Sequence, residues 1–269
     1  MKYTQEEIDF LIENYPKYGS KYCQPFLKGR SLDAINAVAA RNGLKCTNKV
    51  VHPDLQNVSI SKFKPITTRE VAYFLGYFWA DGNIIKYESG GITHHRIAME
   101  IVKTDADSIS SIMSSIGRWA IQIRKRDSWK TTTTFTTSNK DLYEFLEEND
   151  YLDKSTAEPT RILSLIPDEL QIYFWKGLLD GDGSIGSVGR DAWYLELAST
   201  HEYQYKEFEK WITSYTDKGS IYRQVSKRGH KSSVYKLYGR KIIPICNVIP
   251  DFGLERKTRK FKALIKRYE

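Results

Sequence analysis

The stretches Phe74–Gly82 (FLGYFWADG) and Trp175–Gly183 (WKGLLDGDG) are built on one plan. Each has a small pair four residues apart (Gly76/Ala80; Gly177/Gly181), then an aspartate (Asp81; Asp182), then a glycine, at the end of an apolar run that reads as a buried helix. Residues four apart share a helix face, and a face of small residues lets a second backbone come close. Two such helices in one chain are expected to pack on each other. The closing glycines suit left-handed C-caps. Two aspartates then sit at helix C-termini, where the macrodipole disfavours an acid, and near each other, where repulsion raises their pKa values. A divalent cation would relieve both costs, and the helix-end carbonyls of Ala80 and Gly181 offer further hard oxygen ligands of the kind Mg²⁺ takes. One Asp-Gly turn is common turn chemistry; two copies 101 positions apart with the same spacing ask for another explanation.

Gly76, Ala80, Asp81 and Gly82 stand in the third, seventh, eighth and ninth places of a nine-residue pattern, and Gly177, Asp180, Gly181, Asp182 and Gly183 match it again. The two stretches resemble the LAGLIDADG motif of homing endonucleases. The first copy departs from it at Trp79, where the motif has its first aspartate. The resemblance covers about residues 65–269.

The chain has 269 residues, enough for one large or two to three smaller domains. No apolar run reaches the ~20 residues of a membrane span, and residues 1–7 begin no signal-peptide core. Cys23, Cys46 and Cys246 are too scattered for a disulfide framework or a Cys-x-x-Cys site, so a reducing, cytosol-like setting is expected. Net charge is +8 and unevenly spread: residues 218–269 hold 15 Lys/Arg against 3 Asp/Glu, residues 1–60 hold 8 against 6. Basic charge interleaved with aromatics suits a polyanionic partner. The five histidines form no spaced metal cluster.

Thr4-x-x-Glu7 is a capping box, with Ile8, Leu11, Ile12 and Tyr15 following at helical spacing; Asn14-Tyr15-Pro16 is expected to end that helix. A short helix near Tyr22–Leu27, a turn at Gly29-Arg30-Ser31 and a helix from Leu32 to Asn42 complete a helix-turn-helix unit over residues 1–46. It resembles the Myb-like or resolvase-like modules at the ends of phage endonucleases and recombinases, with Asn36 and Arg41 as groove-facing candidates. Residues 47–66, with little periodicity, read as a linker.

Beyond it the pattern is helix, strand pair, helix, strand pair, helix, and then again. Helices are expected at 68–81, 105–116 and 141–148, with strands at 83–87, 95–102, 119–126 and 131–137. The second set has helices at 167–182, 203–215, 241–249 and 258–268, with strands at 184–188, 193–198, 220–227 and 232–238. The fold class is α+β: two pseudo-symmetric αββαββα halves, 67–158 and 159–269, whose antiparallel sheets form a saddle in the family resembled. One sheet face in the first half carries Gln122, Arg124, Arg126, Thr132, Thr134 and Thr136, groups that suit phosphates and base edges. In the second half the facing is open: Tyr222, Gln224, Ser226 and Arg228 are one option, Arg223 and Lys227 the other, with Lys231 at the basic tip of the hairpin.

The resemblance implies more. Asp81 and Asp182 would hold the metal, helped by the Ala80 and Gly181 carbonyls. Lys103 falls where the family often has Gln or Lys near the attacking water, with Ser199 as its counterpart. Lys154 and Lys257 match a late lysine that orders water and screens charge. The implied function is that of a monomeric, site-specific endonuclease on double-stranded DNA, using Mg²⁺ (Mn²⁺ substituting) to make a staggered break at a long asymmetric target. The implied setting is a bacterial or phage-infected cytoplasm or an organellar matrix, not a secreted one. Alternatives on the same fold are a maturase bound to its own intron RNA and a non-catalytic DNA-binding regulator; both motif acids are intact, which favours cleavage.

Overall fold

The structure, a computed structural model, describes residues 3–46, 58–125, 131–188, 192–199, 205–225, 229 and 231–268. The chain divides into two compact units, Met1–Gln56 and Asn57–Glu269.

In the first unit, helix α1 (Gln5–Cys23) opens on the expected capping box: Glu7 N donates to Thr4 Oγ1 at 3.2 Å and Thr4 N donates to Glu7 Oε2 at 2.9 Å. It does not end at Pro16. The helix runs through the proline and breaks at Gly19, at a φ of 74°. A proline removes one donor, which a packed helix survives; the kink needs a residue of positive φ, which glycine supplies. Helix α2 (Leu32–Arg41) starts at Ser31, whose Oγ accepts from Ala34 N at 3.2 Å. Leu11, Cys23, Leu27, Ile35 and Val38 form the small core.

The second unit begins earlier than the sequence suggests. Val58, Phe63 and Ile66, expected in the linker, are buried in its core. They anchor through a 3-10 turn, Ile60–Lys62, and a single bridge between Phe63 and Ile66. Neither has the periodicity by which a helix or strand is recognised. The rest of the expected linker, residues 47–57, lies outside the described residues.

Two similar halves follow. The first is α3 (Arg69–Asp81), β1 (Gly82–Ser89), β2 (Ile92–Val102), α4 (Lys103–Ile116), β3 (Ala120–Arg124), β4 (Thr132–Thr137) and α5 (Lys140–Glu148). A short α6 (Thr160–Leu165) leads into the second. That half is α7 (Asp168–Gly181), β5 (Gly183–Val188), β6 (Ala192–Ser199), α8 (Lys206–Thr213), β7 (Ser220–Val225), β8 (Lys231–Tyr238) and α9 (Ile243–Val248), and α10 (Glu255–Tyr268) closes the chain. The sheets are antiparallel, with orders β1-β2-β4-β3 and β5-β6-β8-β7. The fold is therefore α+β with repeated halves, as expected. One core runs through both, from Phe74, Ile97, Met99 and Phe135 to Trp175, Leu195, Leu197 and Tyr235.

Helices α3 and α7 meet along the small faces. A Cβ placed on Gly76 would strike the Phe174 carbonyl oxygen, one on Gly177 the Tyr73 carbonyl oxygen, and one on Gly181 the Ala80 methyl. The closing glycines serve a different end from the one expected. Gly82 has φ −76° and ψ 156°, extended rather than left-handed, and it leads directly into β1. Its missing side chain matters because a Cβ there would enter the Phe78 ring, and one on Gly183 would enter Leu179.

Candidate active site

Asp81 is the last residue of α3, and Asp182 follows the last residue of α7. The close crossing of the helices brings the two acids to one seam. Burial and the charge of Asp81 push the Asp182 carboxyl up to about 6, while Lys154 and Lys257 pull it back. The Asp81 carboxyl is raised as well, by desolvation first; Lys154, Lys257 and a hydrogen bond from Tyr77 oppose the rise. Its surface is open to solvent, yet it sits recessed among protein atoms.

The late lysines close the helix ends. Lys154 Nζ donates to the carbonyls of Phe78 (3.3 Å), Trp79 (2.8 Å) and Ala80 (2.9 Å). Lys257 Nζ donates to those of Leu179 (2.8 Å), Asp180 (2.6 Å), Gly181 (3.5 Å) and Gly183 (2.6 Å). A cation on the last carbonyls satisfies orphan acceptors and opposes the dipole that disfavours the acids. Burial lowers both ammonium groups to about 8, against the attraction of nearby carboxylates. The Ala80 and Gly181 carbonyls, expected as metal ligands, are thus already engaged by lysine; each oxygen retains a second lone pair.

Each acid opens onto its own cleft. The Asp182 cleft, about 350 Å³, is lined by Ala80, Lys154, Ser155, Ser199 and Ser232. The Asp81 cleft, about 500 Å³, is lined by Tyr77, Glu100, Thr132, Asp105, Gly181 and Arg256. Lys103 is not among its lining residues. It begins helix α4 instead of ending a strand, and its Nζ pairs with Asp107 at 2.7 and 2.9 Å. Nor is Ser199 its counterpart. Gly82 pairs with Met99 and Gly183 with Leu197, which makes Ser199 equivalent to Ile101.

Asp180 carries no functional expectation from the sequence beyond its place in the motif. It is fully buried, with Oδ2 accepting from Lys176 Nζ (2.5 Å), Tyr73 Oη (2.8 Å) and Leu254 N (2.9 Å). The last of these bonds ties the segment before α10, and with it Lys257, to α7. Lys176 at i−4 is the signal that could have marked it.

The register decides the sheet faces. In the first half, Glu100, Thr134 and Gln122 share a row, as do Val102, Thr132 and Arg124, and Ala98, Thr136 and Ala120. The expected face of Gln122, Arg124, Thr132, Thr134 and Thr136 is therefore one face; Arg126 lies outside the described residues. Thr134 is buried within its row. Arg96, paired with Ile85, joins this face. In the second half, Tyr222 and Gln224 lie on the face away from Ile185, Leu195 and Leu237. Tyr194, Glu196, Lys236 and Tyr238 share that face, with Lys236 bridged to Glu196 at 2.7 Å and lying over the Tyr194 ring at 5.3 Å. Arg223 and Lys231 fall on the opposite face, one register step away. Lys227 and Arg228 lie outside the described residues. In the first unit Asn36 and Arg41 are exposed, and Asn36 Oδ1 accepts from Tyr15 Oη at 3.2 Å.

Among the described residues no set of three or more His, Cys, Asp or Glu is grouped to hold a metal ion, and no helix is long and apolar enough to cross a membrane. No family model matches the chain, and a comparison with curated proteins returns no match. Solved structures do match. One is I-DmoI G20S in complex with its target DNA in the presence of Mg: 18% identity, 67% of this chain and 95% of that one covered, TM-score 0.50. Another is I-SmaMI bound to uncleaved DNA target in the presence of calcium ions: 15% identity, 75% and 92% covered, TM-score 0.50. A further structure names I-DmoI a homing endonuclease, and another calls I-SmaMI a meganuclease. At this identity the likeness is one of fold: two αββα halves of the LAGLIDADG endonuclease type.

Proposed function

We propose that the chain is a metal-dependent, site-specific endonuclease acting on double-stranded DNA, one strand at each motif aspartate. The observation that carries this reading is the seam itself: Asp81 and Asp182 held at abutting helix ends, both with raised pKa values, beside two lysines, in clefts that strand residues help to line. Carboxylates kept partly desolvated near one another are costly in the protein alone. The cost fits a site that gains a hard divalent cation, Mg²⁺ or Mn²⁺, with Asp81 and Asp182 as its holders. Such an ion supplies Lewis-acid activation of water and neutralises charge on the phosphate.

The chain's own residues do the rest. The polar faces, with Gln122, Arg124 and Arg96 in one half and Tyr222, Gln224 and Lys236 in the other, lie along the duplex and set its register. Lys154 and Lys257 hold the helix ends that carry the two acids, and their positive charge opposes the negative charge that builds on the phosphoryl oxygens. In the reaction a water oxygen bonds to phosphorus and gives up a proton to solvent, the bond to the leaving sugar oxygen breaks, and that oxygen takes up a proton from solvent. The first unit would add a second DNA contact through Asn36 and Arg41 on α2. The test is incubation with Mg²⁺ and a randomised duplex library, followed by end mapping of cut molecules. Staggered ends at one sequence are expected; a chain that binds duplexes tightly and cuts none in Mg²⁺ or Mn²⁺ overturns the reading.

A further inference from the structure

The two clefts differ in one cation. Lys154 and Lys257 cap equivalent helices, so the residues before them, Asp153 and Arg256, are equivalent positions with opposite charge. Arg256 lines the Asp81 cleft, although it comes from the other half of the chain. Asp105, at the start of α4, grips it: Nε donates to Oδ1 and Nη2 to Oδ2, both at 2.7 Å. Asp105 is 7% exposed, whereas the Arg256 side chain is 54% exposed. A guanidinium has five N–H donors; this grip uses two and fixes the plane of the rest.

Resting on the nuclease reading, we infer that Arg256 is a phosphate-binding residue for one strand only, the strand handled at Asp81. A fork held by a buried carboxylate is a pre-positioned partner for a phosphate, and holding it in place costs no ordering on binding. The Asp182 cleft has Lys154, Ser155 and Ser199 but no arginine among its described lining residues. The two strands therefore meet unequal sites, and the chain cuts them with separately tunable rates.

The experiment uses the full chain and a duplex selected for cutting, each strand carrying its own fluorophore. With Arg256→Gln, cutting of one strand should fall at least tenfold while the other stays within about twofold, and nicked duplex should accumulate. Asp105→Asn should slow the same strand by less, since the cation stays and only its grip is lost. Binding of the uncut duplex in Ca²⁺ should lose about one unit of salt slope in Arg256→Gln. Where Arg256→Gln alone fails to fold, because it strands Asp105, the double variant Asp105→Asn/Arg256→Gln removes both charges and reads the same strand bias. Equal slowing of both strands, or no slowing of either, overturns the inference and leaves the nuclease reading intact. A wild-type chain that cuts no duplex removes the reading and the inference together.

Discussion

Asp182 keeps its proton up to about pH 6 because its carboxylate is crowded by protein and by Asp81. Its folded pKa lies above the unfolded value of 3.8, so its contribution to stability is full below about pH 4 and is lost as pH rises through about 6. Asp182→Asn escapes that loss. Without divalent cations, thermal melts should favour the variant by ~1–2 kcal/mol at pH 7.5, after allowing for partial exposure, and by little at pH 4. A difference that does not change with pH would refute this account of the seam. The same variant, like Asp81→Asn, should bind DNA with little change and lose at least ~100-fold in double-strand cutting, a loss of ~3 kcal/mol in transition-state stabilisation. Lys257 has a structural task beside the one proposed for it in cutting. Its 5% exposure and its carbonyl contacts mean that Lys257→Met strands several acceptors at the end of α7. A stability loss of ~2–4 kcal/mol is expected by chemical denaturation, and any loss of cutting should be read only after that measurement.

Helices α3 and α7 pack so closely that backbone touches backbone, and this makes the pair intolerant of added atoms. Gly177→Ala would put a methyl into the Tyr73 carbonyl, and Gly76→Ala into that of Phe174. Overpacking of this kind costs ~1–3 kcal/mol or more. Because both halves share the seam, the variants should lower the melting temperature of the whole second unit in one transition; two separated transitions would show that the halves fold apart. The spacing of the small residues is enough to imply this contact. The role of Gly82 cannot be read in the same way, because its clash is with Phe78 one turn back, and the extended path into β1 sets the direction in which its missing Cβ would point.

For the molecule as a whole, the two units are compact in their own right. Deleting residues 1–56 should leave the second unit folded, since Val58, Phe63 and Ile66 remain in its core. DNA affinity should fall, by about tenfold or more if α2 contributes phosphate contacts, while the cut positions stay the same. A displaced cut, mapped by end sequencing, would contradict that division of labour. Starting the truncation at residue 67 instead should also destabilise the core, because it removes those three buried side chains.

The repeated motif, the halves, nearly every helix and strand, and the two acids are legible in the sequence because they rest on local periodicity and on covalent spacing. The strand face of Gln122, Arg124 and Thr132 follows for the same reason: alternation is a property of the chain itself. What lies beyond the sequence depends on pairing. Register turns Arg223 and Lys231 away from the face of Gln224 and breaks the apparent match of Lys103 with Ser199, since a shift of one or two residues in a ladder leaves composition unchanged. The grip of Asp105 on Arg256 joins residues 151 positions apart. Only tertiary packing could bring that arginine to the cleft of the other half's aspartate.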